Sequence, residues 1–318
     1  MCSSFSTNIS SQSKGNHQSS PRIRLRAGLP AEALAQAGGV TYTEMNMEYQ
    51  EGNVRIEGIK IHYYRSGGKK PPIVLLHGAT DDGLCWGRTA QELAERYDVI
   101  MPDAQGHGLS DRLGPDFSFE SHTKQVAGLV KELGLNKPII MGHSMGAGTT
   151  CNVAMEYPAI PKAIILEDPA WGMFPPKPEN AEAARKNHEE IRAYQTEVAK
   201  LPLEDIKNRC RKDNPTWPED EVITWANSRK LWDKALFDRI GVPSRPYEEI
   251  VTRIECPTLL IIAETGIVSR ETAENAARLW TSKSPFKWVY IKGAGHSIRR
   301  EQYADFKRAL YDWLDTLK

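Results

Sequence analysis

The sequence predicts an α/β fold in which a mostly parallel sheet is covered by helices on both faces. Short apolar runs that end in turn residues alternate with longer segments of helical spacing. Short apolar runs are typical of strands buried on both faces, and their alternation with helices is typical of parallel, doubly wound sheets. One long stretch, residues 171–254, breaks the alternation with helical patterns and no convincing strand.

Each element follows from its local pattern. Strand-like alternation at residues 42–48 and 54–64 predicts an antiparallel start, linked through residues 51–53 and interrupted at Gly58. Buried strands are predicted at residues 73–76, 97–101, 138–141, 163–166, 258–262 and 286–291. Helices are predicted at residues 89–96, 120–133, 145–157, 270–280 and 301–317.

These patterns divide the chain into a tail (residues 1–38), a core (residues 39–170 and 255–318) and a helical cap inserted into the core (residues 171–254), called the cap segment below. The tail is rich in Ser, Asn and Gln, which predicts disorder, with organelle targeting as the alternative. The cap segment carries four tryptophans, which suits a lid over a hydrophobic pocket.

Charge and cysteine content narrow the partners. The 41 basic and 41 acidic residues cancel, which argues against nucleic acid or an anionic membrane as a partner and favours a small, largely apolar molecule. No apolar run is long enough to predict a membrane span. Five scattered cysteines favour a reducing, cytoplasmic location and indicate neither a metal site nor a disulfide framework. The oligomeric state is left open.

The pentapeptide Gly142-His143-Ser144-Met145-Gly146 lies between a predicted strand and a predicted helix. A strand that turns abruptly into a helix forces its central residue into a strained conformation, and glycines on either side let neighbouring backbone pass closely. Ser144 is therefore the candidate nucleophile. The amides at the start of the following helix are suited to stabilise a developing oxyanion.

Three further motifs occur in the order expected around this serine. Residues 73–78 (IVLLHG) comprise a predicted strand and the start of the loop after it, and residues 103–110 (DAQGHGLS) and 293–296 (GAGH) each follow a predicted strand. With the pentapeptide, they make the chain resemble the α/β-hydrolase superfamily from about residue 54 to the C-terminus. The resemblance implies that His296 is the general base and that the amides of Ala79 and Met145 form the oxyanion hole. It implies no cofactor and no metal.

The third member of the triad departs from the usual pattern. Most relatives take an aspartate from the loop after the penultimate strand, but Gly266 stands there, after Glu264. A minority take the acid from the end of the strand before the cap, where this chain has Glu167 and Asp168. Asp168 aligns best, and Glu167 and Glu264 remain alternatives.

A serine at this turn favours acyl chemistry, because relatives that form alkyl-enzyme esters carry an aspartate there. We therefore expect hydrolysis of a carboxylic ester or lactone through an acyl-enzyme. A carbon–carbon bond hydrolase, an amidase and an acyltransferase share the same motifs. A slow or non-catalytic small-molecule receptor is the alternative from another class, and the glycine at position 266 gives it some support.

Overall fold

The computed structural model describes residues 49–171, 181–239 and 245–317, which contain an eight-stranded sheet. Its strands are β1 (Gln50–Ile56), β2 (Ile59–Arg65), β3 (Pro72–Leu76), β4 (Asp98–Pro102), β5 (Ile139–His143), β6 (Ala163–Glu167), β7 (Thr258–Thr265) and β8 (Phe286–Gly295). Their order across the sheet is β1-β2-β4-β3-β5-β6-β7-β8. Strands β1 and β2 pair antiparallel, β2 pairs antiparallel with β4, and the remaining neighbours are parallel.

Helices follow most of the parallel strands. They are α1 (Gly87–Leu93), α2 (Phe119–Glu132), α3 (Met145–Glu156), α4 (Ala181–Lys200), α5 (Leu203–Asp213), α6 (Glu219–Ser228), α7 (Leu236–Arg239), α8 (Tyr247–Val251), α9 (Arg270–Leu279), α10 (Ile298–Glu301) and α11 (Tyr303–Asp315). A short 3₁₀ helix, Gly83–Trp86, precedes α1. This alternation confirms the predicted fold class.

The sheet is buried on both faces. Along β3, Ile73 joins an apolar cluster that includes Phe306 of α11, whereas the next residue, Val74, joins a second cluster with Leu129 of α2. Successive side chains of a strand point to opposite faces, so each parallel strand contributes to both cores. This is why the predicted strands have continuous apolar sequences.

The first hairpin lies elsewhere than predicted. Residues 51–53, expected to link two strands, belong to β1, and the turn is formed by Glu57 and Gly58 with φ values of 51° and 85°. Gly52 is paired with Tyr63 of β2, and a Cβ at position 52 would lie 2.3 Å from the Tyr63 hydroxyl oxygen. The glycine therefore makes room for a tyrosine across the strands and does not mark a turn.

The described part of the cap segment contains helices α4 to α8 between β6 and β7. The tail and the predicted strand at residues 42–48 lie outside the described residues, and the domain boundaries stay predictions. Within the described ranges, no helix is long and apolar enough to span a membrane.

A buried pair of side chains ties the antiparallel strands to the parallel sheet. His62 of β2 lies 2.9 Å from the Asp103 carboxylate through Nδ1 and 3.6 Å from Glu51 through Nε2. The amides of Gly83 and Leu109 also donate to Asp103. Burial lowers the pKa of His62, but the two carboxylates outweigh burial and raise this pKa from about 6.5 to about 9. His62 is therefore an imidazolium at neutral pH.

This pairing predicts that stability falls in mildly alkaline solution. A pKa that is raised on folding adds stability below the unfolded value, near pH 6.5, and that stability is lost as the pH rises to about 9. We expect the free energy of unfolding to drop by about 2 to 3 kcal/mol across that window. Urea denaturation at several pH values measures this drop, and His62→Gln should flatten the profile. An equally steep profile in the variant would assign the pH dependence to other groups.

Candidate active site

The candidate nucleophile sits in a strained turn at the carboxyl end of β5. Ser144 has φ 52° and ψ −114°, a backbone conformation that costs a non-glycine residue about 1 to 3 kcal/mol. A Cβ at Gly142 would lie 2.3 Å from the Gly146 carbonyl oxygen, and a Cβ at Gly146 would lie 2.2 Å from the carbonyl oxygen of Leu76. Both glycines are thus required by close backbone packing, as the pentapeptide predicts.

The loop after β3 lies directly against this turn. A Cβ at Gly78 would come within 3.4 Å of the Ser144 Cβ and 2.8 Å of the His143 Nδ1. The Asp81 amide donates to the Gly78 carbonyl oxygen at 3.2 Å and closes a four-residue turn that contains Ala79. The two predicted oxyanion residues, Ala79 and Met145, therefore flank Ser144, from this loop and from the first position of α3.

The candidate base and acid are in contact. His296 follows β8, and its Nδ1 lies 2.6 Å from Oδ2 of Asp168, which follows β6. Asp168 is fully buried, whereas the His296 side chain is 38% exposed, so the imidazole is held from one side and accessible from the other. The amides of Ile267 and Val268 donate to the Asp168 carboxylate at 2.8 and 3.0 Å and fix its position beside the imidazole.

Gly266 explains why the acid can come from β6. A Cβ at position 266 would lie 2.5 Å from Oδ2 of Asp168 and 2.7 Å from Oδ1, so the Asp168 carboxylate occupies the space of a side chain there. Strands β6 and β7 are parallel neighbours, and their carboxyl ends meet at the same edge of the sheet. A carboxylate from either strand can therefore reach the imidazole.

The two alternative acids have other partners. The Glu167 carboxylate is buried, accepts a hydrogen bond from the Arg299 amide at 2.9 Å and forms an ion pair with the Arg299 guanidinium at 3.1 Å. Glu264 is exposed and accepts a hydrogen bond from the Gly293 amide at 2.8 Å. The structure thus brings Asp168 to His296 and places the other two carboxylates elsewhere.

Other histidines near the site form structural hydrogen bonds. The Ala104 amide donates to Nε2 of His77, and Nδ1 of His77 lies 2.8 Å from the Gly78 carbonyl oxygen. The Thr80 amide donates to Nε2 of His107. Burial lowers the pKa of both imidazoles, so they are neutral at pH 7. They hold the loops after β3 and β4 together.

Apolar side chains form one wall of the site. Three residues of the cap segment, Trp232, Leu236 and Phe237, make a buried cluster that packs on the side chains of Ala79 and Met145. Apolar side chains of the cap segment therefore cover the edge of the sheet beside Ala79 and Met145.

Within the described ranges, no group of three or more His, Cys, Asp or Glu side chains is placed to hold a metal ion.

Sequence reasoning missed a set of charged residues beside this wall, here called the buried ion cluster: Asp81, Glu221, Arg229 and Arg300. Arg229 lies 2.6 Å from Asp81, and Arg300 lies 2.9 Å from Glu221 and 3.3 Å from Asp81. The four side chains are between 2% and 6% exposed. Because the partners are 79 to 219 residues apart, no spacing pattern in the sequence reveals them.

Comparison with known proteins agrees with the fold and the motifs. The model of the alpha/beta hydrolase family matches residues 73–309. N-formylmaleamate deformylase of Pseudomonas putida is 26% identical over 83% of this chain and 96% of its own length. For 2-(acetamidomethylene)succinate hydrolase of Mesorhizobium japonicum the identity is 29% over 79% of this chain and 90% of that protein.

The fold likeness extends to solved structures. A crystal structure of E-2-(acetamidomethylene)succinate hydrolase superposes with a TM-score of 0.71 at 21% identity, covering 84% of this chain and all of the other. The family match spans most of the chain and includes the strained serine turn and the histidine loop. The chain therefore belongs to the alpha/beta hydrolase family.

Proposed function

We propose that this chain is a serine hydrolase that cleaves a carboxylic ester or lactone through an acyl-enzyme. The observation that supports this most is the 2.6 Å contact between His296 and the buried Asp168, at the edge of the sheet where Ser144 sits. A nucleophile, a base and a carboxylate that orients the base are the three groups that acyl transfer needs.

In the proposed cycle, the Ser144 hydroxyl attacks the substrate carbonyl carbon and passes its proton to Nε2 of His296. The Asp168 carboxylate stabilises the imidazolium through Nδ1, and the amides of Ala79 and Met145 hold the tetrahedral oxyanion. The imidazolium then protonates the leaving alcohol, which departs from the acyl-enzyme. Water, deprotonated by His296, attacks the acyl carbon and releases the acid and the free serine.

The surroundings favour an apolar substrate. The apolar cluster of the cap segment packs on the two residues proposed to hold the oxyanion, so substrate groups beside the carbonyl meet hydrocarbon. In the described part of the chain, the buried arginines are Arg229, Arg299 and Arg300, and each is paired with a buried carboxylate. These three arginines are therefore already neutralised and do not provide a charge for binding a multiply charged anionic substrate.

Amide hydrolysis is the second candidate. Two relatives are named for N-formylmaleamate and 2-(acetamidomethylene)succinate, which are cleaved by a deformylase and a hydrolase. The same serine, base and oxyanion donors perform amide cleavage when His296 protonates a leaving nitrogen. The paired buried arginines favour the neutral ester or lactone over such carboxylate-bearing amides.

A substrate panel tests the proposal. Purified protein is assayed with p-nitrophenyl esters of increasing acyl length, neutral lactones, and N-formyl and N-acetyl amides, beside Ser144→Ala. We expect turnover of esters or lactones, lost in the variant because no other nucleophile replaces the serine. Turnover confined to amides would select the second candidate. Ester turnover that persists in Ser144→Ala, or no turnover of any substrate, would contradict the proposal.

The identity of the acid gives a matched pair of variants. Asp168→Asn should lower kcat roughly 10³- to 10⁴-fold, because an amide in place of the carboxylate neither stabilises the imidazolium nor keeps its tautomer. Glu264→Gln removes an exposed carboxylate that accepts from Gly293 and should change kcat less than about threefold. A larger loss in Glu264→Gln than in Asp168→Asn would reverse the assignment.

The space at position 266 gives a separate prediction. Gly266→Ala places a Cβ about 2.5 Å from the Asp168 carboxylate and displaces it, so kcat should fall by about tenfold to hundredfold. Gly114→Ala is the control, because no atom lies within 4 Å of a Cβ at that position. Steady-state kinetics of both variants, with thermal melting to verify folding, measure the effect. Wild-type kcat in Gly266→Ala would show that the carboxylate position is not critical.

A further inference from the structure

We propose that Arg229 of the cap segment is a positioning residue that fixes the Gly78–Asp81 turn, and with it the Ala79 amide, so that the oxyanion hole is complete only while the cap segment is seated on the core. This inference rests on the proposed function, because it takes the Ala79 amide as an oxyanion donor. It assigns a catalytic consequence to a side chain that does not touch the reacting atoms.

The turn is unfavourable by itself. Thr80, its third residue, has φ 63°, and turns with positive φ at this position normally carry glycine or asparagine there. A β-branched side chain is among the least suited to that conformation. Such a residue keeps this conformation only when its surroundings hold it, so the contacts of Thr80 decide where the neighbouring amide points.

Arg229 supplies the contacts that come from the cap segment. It follows α6, and one guanidinium nitrogen donates to Oγ1 of Thr80 and also to the side chain of Gln195, while the other donates to Asp81 at 2.6 Å. The planar, forked guanidinium thus donates hydrogen bonds to two consecutive residues of the turn. It also lies over the indole ring of Trp225 in α6, with 4.5 Å between the guanidinium carbon and the ring centroid.

The core contributes the other half of the buried ion cluster. Arg300 follows the histidine loop within α10 and contacts both Asp81 and Glu221, which belongs to α6. Burial raises the pKa of Asp81, but the positive charges of Arg300 and Arg229 outweigh burial and hold this pKa well below its usual value. Two carboxylates and two guanidiniums therefore balance, and separating α6 from the core would leave buried charges unpaired.

This arrangement couples two events. When α6 rests on the core, Arg229 completes the hydrogen bonds of the strained turn and the Ala79 amide faces Ser144. When α6 moves away, Thr80 loses its hydroxyl partner and Asp81 loses one of its two cations. The strained turn is then held from the core side alone, by His107 and Arg300.

The first test is Arg229→Met, which keeps an unbranched apolar stem, removes the guanidinium and leaves Asp81 paired with Arg300. Loss of an interaction that acts in the transition state lowers kcat and kcat/KM together, so we expect kcat to fall by about tenfold to hundredfold, with KM within about threefold of wild type. Arg211→Met is the matched control, because Arg211 pairs with exposed Glu219 inside the cap segment at 2.5 Å. It should keep wild-type kcat.

A second readout separates positioning from a merely structural role. A phenylboronic acid forms a tetrahedral, negatively charged adduct with an active-site serine, and its affinity depends on the oxyanion donors. Inhibition by this compound should weaken in Arg229→Met by about the same factor as kcat. A variant that is only less stable would show a lower melting temperature, with wild-type kcat and wild-type inhibition for the folded protein.

Thr80→Val keeps the test decisive if Arg229→Met does not fold, since it removes the hydroxyl acceptor and leaves every ion pair of Arg229 intact. It should lower kcat in the same direction, and the double variant should be no worse than Arg229→Met alone, because both changes act through one contact. Wild-type kcat in Thr80→Val, or a rise in KM alone in Arg229→Met, would overturn the inference. Failure of the proposed function gives a different result: the wild-type protein would turn over no substrate of the panel, or Ser144→Ala would keep its ester turnover.

Discussion

The arrangement of the site depends on close backbone contact where β3 and β5 end. The carbonyl oxygen of Leu76 occupies the place that a Cβ of Gly146 would need, and the Gly146 carbonyl does the same to Gly142. This packing sustains the unfavourable backbone of Ser144 and presses the loop after β3 against it. The serine and the first residue of α3 therefore lie against the loop that contains Ala79.

The relation between Asp168 and Gly266 explains how a carboxylate that follows β6 can lie beside the loop after β7. The carboxyl ends of β6 and β7 adjoin, so a carboxylate from β6 fills the space left by the glycine that follows β7. The loop after β7 donates two backbone amides to that carboxylate instead of supplying the acid. The Asp168 carboxylate thus lies beside Nδ1 of His296.

The buried ion cluster fixes the position of α6 of the cap segment on the core. Burying four charges costs desolvation free energy, which their mutual attraction offsets only when every partner is in place. An apolar contact alone tolerates sliding, whereas paired charges allow few arrangements. The residues that meet in this cluster come from the loop after β3, from α6 and from α10. The cap segment, the candidate oxyanion loop and the histidine loop thus share one set of contacts.

The sequence by itself determined the features that local pattern encodes. Apolar runs and helical spacing predicted the parallel sheet, and the order of the short motifs placed Ser144 and His296 after strands of that sheet. The prediction of a turn at residues 51–53 was wrong. In the sequence, a glycine that makes room for Tyr63 across two strands looks the same as a glycine in a turn. The ion cluster and the choice of Asp168 over Glu167 and Glu264 as the partner of His296 were decided only by the tertiary structure. Those outcomes depend on distances between residues far apart in the chain. The local sequence of a helix does not show whether a charged side chain will be buried in an ion pair or exposed to solvent.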